Sequence, residues 1–203
     1  RIRIAVFVLS LAFAHAVHGT SDRVRLELRG GDIVAFVGGA DVAAAQNTGH
    51  LEALLAIQVP GVRYRNFGWE GDTVFEQPRM MGFPPLKEHL QRAKASVVIL
   101  QFGRAEVLGG GRSVRDFSVA YEQLLDDLVL LEMRLVLVVP PPFENAGGAP
   151  LPDLSTRNKA LAEHADVIRA IAQKRKLPVI DLFDEFGGVA HRKPHLTRNG
   201  LQL

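Results

Sequence analysis

The sequence predicts an α/β protein of three layers, in which a parallel sheet of five strands lies between two layers of helices. Five short runs of aliphatic and β-branched residues recur along the chain, and segments with helical periodicity separate them. Nearly continuous apolar runs suit strands that are buried on both faces of a parallel sheet. Strands that alternate with amphipathic helices indicate a doubly wound sandwich.

The first segment of the chain has the layout of a secretory signal peptide. Arg1 and Arg3 precede an apolar run over 4–14, and a small-x-small pattern follows at 14–16. The run is shorter than the about 20 apolar residues that a membrane-spanning helix needs. We therefore expect 1–16 to direct export to the periplasm, the cell surface or the medium. A short membrane anchor is the alternative.

Composition indicates one globular domain over 17–203. The 203 residues are 47% hydrophobic and 23% charged, which suits a single well-filled core. Lys and Arg total 24 against 22 acidic residues, and the net charge of +2 is too small and too scattered for a nucleic-acid surface. There is no cysteine, so the core rather than disulfides must stabilise an exported domain.

The strands and helices follow in order along the chain. The predicted strands cover 32–38, 62–68, 96–103, 134–140 and 177–183. The clearest helix has an apolar stripe over 114–131, with side chains recurring every three or four residues. A second helix covers 156–176 and ends in a basic cluster, which complements the carbonyl end of the helix dipole. The Pro- and Gly-rich stretch 140–153 is predicted to be a loop.

The carboxyl ends of the strands are the expected location of a ligand site, as in other open parallel sheets. Glycines mark the first three strand ends, at Gly38-Gly39, Gly68 and Gly103. We interpret them as turns that need positive φ rather than as points of close backbone approach. The first turn carries neither the dinucleotide-binding nor the P-loop glycine pattern, so we expect no nucleotide cofactor.

Three strand-end segments carry the motifs of a known family. The segment "VRYRNFGWEGDTV" at 62–74 matches a block that ends N-x-G-x-x-G-D-T. The segment "VVILQFGRAEV" at 97–107 resembles a block written L-x-x-G-x-N-D or F-G-x-N-E, and "LTRNGLQL" at 196–203 resembles a block written D-G-x-H. The chain thus resembles the SGNH/GDSL hydrolases, and several of its short segments are similar to those of a branch that is common in planctomycete-type bacteria. The resemblance implies a flavodoxin-like fold and a final helix beyond Leu203.

The resemblance also assigns the family's catalytic positions, and most of them hold unreactive residues. Ala40 aligns with the serine nucleophile, and Ala105 aligns with the asparagine that donates to the oxyanion. Gln202 aligns with the histidine base, and Asn199 aligns with the aspartate that orients it. Gly71, which contributes a backbone N–H to the oxyanion hole, is kept.

These replacements predict a catalytically impaired member that binds an acylated polysaccharide or a small ester. A methyl group cannot attack a carbonyl, and an uncharged amide cannot serve as a general base. The alternative is an active carbohydrate or acyl-ester hydrolase in which Asp41, His191 or His195 substitutes for the missing groups. Gly39 is expected to line the same cleft.

Three further residues are predicted to line the cleft. Trp69 either stacks on a sugar or covers the edge of the core. Asp72 caps the segment that follows it. Arg104 either binds an anionic group or pairs with Glu106 or Glu70.

A cluster of acidic and histidine side chains near the end of the chain is a possible metal site by residue type alone. Its members are Asp181, Asp184, Glu185, His191 and His195. Their spacing matches no defined zinc or calcium motif, so we predict no metal here.

Overall fold

The computed structural model describes residues 26–78, 82–145, 150–186 and 197. They contain one parallel sheet, which confirms the predicted fold class. Its strands are β1 (Ile33–Gly38), β2 (Arg63–Asn66), β3 (Val97–Gln101), β4 (Arg134–Val139) and β5 (Val179–Asp181). All five predicted strands are present, each shorter than its apolar run.

Helices connect the strands and cover both faces of the sheet. In the described residues they are α1 (Ala40–Ala45), α2 (His50–Gln58), α3 (Leu86–Ala93), α4 (Arg104–Gly109), α5 (Val114–Val129), α6 (Asn158–Arg175) and α7 (Leu182–Glu185), with a 3-10 helix at Leu154–Arg157. The predicted helix 114–131 is α5, and the predicted helix 156–176 is the 3-10 turn followed by α6.

The order of the strands in the sheet is β2-β1-β3-β4-β5, and all neighbours are parallel. The chain moves outward from β1 to β2, then returns to place β3 on the other side of β1. The strand order therefore reverses between β1 and β3, which is where open parallel sheets form a ligand crevice. This topology directs attention to the turns after β1 and β3.

The central strands are buried on both faces, as their apolar runs predict. Ala35 and Val37 of β1 pack into a large core beneath α3, α5 and α6, while Val34 and Phe36 pack into a second core with Val42 of α1 and Leu55 of α2. The strands β2 and β5 are the edges of the sheet, and their side chains are partly exposed. The turns after β1 and β3 thus follow the buried centre of the sheet.

A polar cluster holds together the opposite, amino end of the sheet. Asp32, at the start of β1, accepts hydrogen bonds from the Ser96 hydroxyl (2.8 Å), the Arg29 backbone N–H (2.7 Å) and the Arg134 guanidinium. Burial opposes ionisation of Asp32, but these three donors outweigh it and lower its pKa. We call Asp32, Ser96, Arg134 and the Arg29 N–H the amino-end cluster.

The long helices begin and end at recognisable signals. Ser113 caps α5 by accepting the Asp116 backbone N–H, and Asp116 returns a hydrogen bond to the Ser113 N–H. At the end of α6, the predicted basic cluster has a partner that the dipole argument did not include. Both Lys174 and Arg175 form ion pairs with Glu122 of α5.

The predicted signal peptide lies outside the described residues, so export stays a prediction. In the part of the chain that the structure describes, no helix is long and apolar enough to cross a membrane.

Candidate active site

The turn after β1 is a close-packed junction between three strand ends. A Cβ placed on Gly38 would lie 2.4 Å from the carbonyl oxygen of Gln101, and one on Gly39 would lie 2.9 Å from that of Asp72. Real Cβ atoms do not approach backbone so closely, so both positions require glycine. Ala40 follows as the first residue of α1.

The glycines at the strand ends divide into two kinds, which corrects the sequence interpretation. Gly71 and Gly103 have positive φ, at 88° and 124°, as turns require. Gly38, Gly39 and Gly68 are not in that region. They are points of close approach, because a Cβ on Gly68 would lie 2.5 Å from the Ala43 nitrogen. Gly38 is therefore required by the end of β3, Gly39 by the turn that holds Asp72, and Gly68 by the start of α1.

The segment after β3 is tied to the segment after β2 by a buried carboxylate. Glu106 accepts the Gly103 backbone N–H at 2.7 Å and the Val74 backbone N–H at 2.8 Å. Burial raises the pKa of Glu106, although these backbone donors oppose the shift. The carboxylate fixes Ala105 and α4 relative to the Gly71 turn.

A cavity of about 100 Å³ lies among these turns, at the point where the strand order reverses. It is lined by Gly39, Ala40, Asp41, Asp72, Gln101, Phe102, Gly103, Arg104, Ala105, Glu106, Leu108 and Pro140. Ala40 and Ala105, aligned with the family's nucleophile and oxyanion donor, thus share one cavity with the predicted cleft residues Gly39, Asp72 and Arg104. None of the described residues lining it has a hydroxyl, a thiol or an imidazole.

An ion pair between two of the lining residues dominates the charge of the cavity. Arg104 Nη1 lies 3.1 Å from Asp41 Oδ2, and the side chains are only 5% and 20% exposed. The Arg104 guanidinium also lies 4.7 Å from the centre of the Phe143 ring. The Gln101 side-chain amide donates to the same Asp41 oxygen at 3.3 Å. Arg104 therefore joins α4 to α1 and to the loop after β4.

The structure gives Arg104 a different ion-pair partner from the two that the sequence predicted. The ion pair is made with Asp41, and no ion pair with Glu106 or Glu70 is present among the described residues. Asp41 lies in the first turn of α1, and its side chain does not cap the helix. Burial raises the pKa of Asp41, and the Arg104 charge opposes this shift.

The loop after β4 contacts the last sequence block through one carboxylate. Glu144 is buried, and its Oε2 accepts both the backbone N–H (2.8 Å) and the hydroxyl (2.6 Å) of Thr197. Thr197 stands two residues before Asn199. The contact holds Thr197 against the loop that also carries Phe143.

Several predicted residues lie outside the described residues. They are Asn199, Gln202, His191 and His195, so their assigned or substitute roles stay predictions. His164, which is described, is buried in α6 beside Phe117 and donates to the Ala160 carbonyl oxygen at 2.9 Å.

Two further predicted residues have definite surroundings. Trp69 is 53% exposed, so it does not cover the core edge and a stacking role stays open. Asp181, from the suggested metal cluster, forms an ion pair with Arg169 at 2.6 Å. In the described part of the chain, no group of three or more His, Asp or Glu side chains could hold a metal ion.

Sequence reasoning missed Gln101 and the partnership of Asp41 with Arg104. Asp41 and Arg104 are 63 positions apart and follow strands that are neither consecutive nor predicted as neighbours. The signal that could have found them is topological. If β1 and β3 are adjacent at the reversal of strand order, the residues just after each must meet.

Comparison with known proteins agrees with this geometry. The model of the GDSL-like lipase/acylhydrolase family matches residues 30–201. Among solved structures, the acetyl xylan esterase AlAXEase is similar with a TM-score of 0.65 at 16% identity, over 84% of this chain and 91% of that one.

Two further structures show the same fold. LAE5, an alpha/beta hydrolase from the metagenome of Lake Arreo, has a TM-score of 0.67 at 15% identity, over 86% of this chain and 88% of that one. Axe2, an acetylxylan esterase from Geobacillus stearothermophilus, has a TM-score of 0.61 at 16% identity, over 81% and 82%. No curated protein sequence matches the chain significantly.

Proposed function

The chain belongs to the GDSL-like lipase/acylhydrolase family, and we propose that it is a member of this family that does not hydrolyse esters. We propose further that it is exported and serves as a binding module for acylated carbohydrate. The cavity at the strand-order reversal is the proposed ligand site.

One observation carries the proposal. The described residues that line the cavity include no hydroxyl, thiol or imidazole side chain, and Ala40 stands where the resemblance places the nucleophile. Covalent ester hydrolysis needs such a group and a base to take its proton. The alanine methyl groups and the paired Asp41 carboxylate of this wall supply neither the nucleophile nor the base in the arrangement that hydrolases use.

The replaced oxyanion position adds to this loss. Removing one oxyanion donor lowers the rate by about 10²- to 10³-fold. Hydrolases without their catalytic triad keep only about 10³- to 10⁴-fold acceleration over water. With both changes, the expected turnover of an ester is close to the uncatalysed rate.

The proposed ligand class rests on similarity and on one exposed aromatic side chain. Similar folds include proteins described as acetyl xylan esterases. Trp69, next to the Gly71 turn, is 53% exposed and offers a flat apolar surface of the kind that stacks on sugar rings.

The test is a panel of short acyl esters together with a fluorophosphonate probe. We expect no hydrolysis and no labelling above the level of the denatured protein. Turnover of any ester that is abolished by His195→Ala would contradict the proposal, because it would mean that a displaced histidine has restored the chemistry.

A second candidate function is hydrolysis by a water molecule that Asp41 activates. The observation in its favour is that Asp41 lines the cavity and has a raised pKa, which suits a general base. This function predicts slow turnover without labelling by the fluorophosphonate. Asp41→Asn would remove that turnover, whereas Asp32→Asn at the other end of the sheet would leave it unchanged.

A further inference from the structure

Two side-chain oxygens of residues that line the cavity are hydrogen-bond acceptors without a donor among the described residues. Asp41 Oδ2 accepts from Gln101 and Arg104, while Asp41 Oδ1 accepts no hydrogen bond from any described residue. The Gln101 amide, which uses its nitrogen on Asp41, accepts none at its oxygen within the described chain. Both oxygens of Glu106 are occupied by backbone N–H groups.

The Asp41 side of this wall is poorly matched to an ester. The carbonyl and bridging oxygens of an ester only accept hydrogen bonds, so next to the Asp41 carboxylate they would face another acceptor. Burying two acceptors against each other leaves both without the water that solvated them, which disfavours binding. A ligand with a donor would instead complete the hydrogen bonding of Asp41.

The rest of the wall limits the size and polarity of such a ligand. The methyl groups of Ala40 and Ala105 and the side chain of Leu108 are apolar, and the cavity volume is about 100 Å³. Because an apolar cavity of about 150 Å³ holds one benzene molecule, this space suits a group of only a few heavy atoms. A methyl group packs well against such walls, whereas a polar end needs Asp41.

Charge excludes the anionic ligand that Arg104 alone would suggest. The positive charge of Arg104 is balanced by Asp41 at 3.1 Å, so an anion would have to displace a carboxylate that is already in place. Glu106 adds a further acidic group to the same wall. A neutral donor disturbs none of these pairs.

From these features we infer that the cavity recognises an acetamido group, as carried by an N-acetylated amino sugar, in preference to an O-acetyl ester. The methyl group lies against Ala40 and Ala105, and the amide N–H donates to Asp41 Oδ1. The inference rests on the proposed binding function and names the acyl linkage that it selects.

The test compares two probes of the same shape, N-methylacetamide and methyl acetate. Titrations of the full chain followed by ligand-observed NMR give both dissociation constants. We expect the amide to bind about tenfold tighter or more, because a hydrogen bond to a charged group is worth at least that in affinity. The methyl glycoside of N-acetylglucosamine should compete with the amide.

Asp41→Asn supplies a stronger test because it should reverse the preference. Arg104 and Gln101 both donate, so the new amide oxygen takes the place of Oδ2 and the new NH₂ group points where Oδ1 was. The wall then donates, and methyl acetate should bind more tightly than N-methylacetamide. Asp32→Asn, the matched control in the amino-end cluster, should keep the original preference.

Leu108→Trp is a second variant that tests the site without any change at Asp41, in case Asp41→Asn fails to fold. Because the larger side chain fills the cavity, it should abolish binding of both probes. Equal affinity for the two probes, no binding of either, or binding that Leu108→Trp leaves unchanged would overturn the inference. Hydrolysis is read separately in the same samples, as acetate and methanol released from methyl acetate. Hydrolysis of methyl acetate would contradict the proposed function, whereas the inference about the acyl linkage is judged only by the two dissociation constants.

Discussion

Two buried aspartate–arginine pairs stand at opposite ends of the same sheet, and their environments differ. At the amino end, Asp32 has three donors and a lowered pKa. At the carboxyl end, the Asp41 carboxylate has two donors on one oxygen and a raised pKa. In the first pair both oxygens of the aspartate accept hydrogen bonds. In the second pair only one oxygen of the aspartate does so, and the carboxylate lies beside a cavity. A carboxylate whose pKa is raised by burial beside a cavity is more typical of a functional site than of a structural contact.

The largest expected effect tests whether the carboxyl end keeps the shape of a hydrolase site. We expect Ala40→Ser, Ala105→Asn, Asn199→Asp and Gln202→His together to create esterase activity, about 10³-fold or more above the starting protein, because they restore every missing group. Initial rates on the ester panel measure it.

The matched control for this restoration is the same protein with Ala40 retained, which should stay inert. A restored protein that folds and still hydrolyses nothing would show that the cavity no longer admits an acyl group.

The next effect comes from breaking each pair. Asp41→Leu should lower the free energy of unfolding by about 3 kcal/mol, because it leaves the buried Arg104 charge without Asp41. Adding Arg104→Met should recover most of this loss, since a desolvated ion pair is often replaceable by apolar side chains. Urea denaturation at pH 7 measures both.

The corresponding pair of changes at the amino end should behave differently. Asp32→Leu with Arg134→Met removes a contact in which both Asp32 oxygens are hydrogen-bonded and Arg134 is partly exposed, so the double change should stay destabilising by about 1–2 kcal/mol. Recovery at both ends, or at neither, would remove the distinction between them.

Glu106 provides a test within the site itself. Glu106→Ala should cost about 2–3 kcal/mol, because it leaves the buried N–H groups of Gly103 and Val74 without their acceptor. Glu106→Gln keeps one acceptor and should cost less. Equal unfolding free energies for the two variants would mean that the backbone N–H groups find other partners.

The pH dependence of stability should have opposite signs for the two ends. Because the pKa of Asp32 is lowered, its stabilisation is complete above pH about 3.8 and is lost as the pH falls further. Because the pKa of Glu106 is raised above 4.5, the folded state binds its proton more tightly, and stability declines as the pH rises from about 4.5. Unfolding free energies from pH 3 to 7, at about unit intervals, should lose the first dependence in Asp32→Asn and show a weaker second dependence in Glu106→Gln, because Asp41 with its raised pKa still contributes. Unchanged profiles in these variants would contradict the assignment.

The smallest effect belongs to an exposed pair far from both ends. Glu88 and Arg92 lie 3.3 Å apart on α3, with side chains 45% and 68% exposed. Glu88→Ala should change the unfolding free energy by less than about 0.5 kcal/mol. A larger change would mean that the effects expected at the two ends of the sheet are not specific to buried pairs.

The parts of the fold that depend on local pattern were predictable from the sequence. Buried strands such as β1 and β4 read as unbroken apolar runs, and α5 has an apolar stripe between clear capping residues. Single positions such as Ala40 and Ala105 could be named from the motifs, and both line the cavity, while their assigned roles stay predictions. The pairing of Asp41 with Arg104 depends on strand order, and the close packing of Gly38 and Gly39 depends on backbones that are distant in sequence. Neither quantity is expressed in local periodicity.

The turn after β1 has a consequence for how the protein can change over time. Its backbone is fixed by Gly38 and Gly39, which cannot accept a side chain without moving a neighbouring carbonyl. The next position, Ala40, already carries a Cβ and opens onto the cavity. Reactivity in this turn can therefore be lost or regained at one residue while the architecture is inherited unchanged. Descendants of such a chain remain one substitution away from a nucleophile, and selection for binding does not erase the scaffold on which catalysis could be rebuilt.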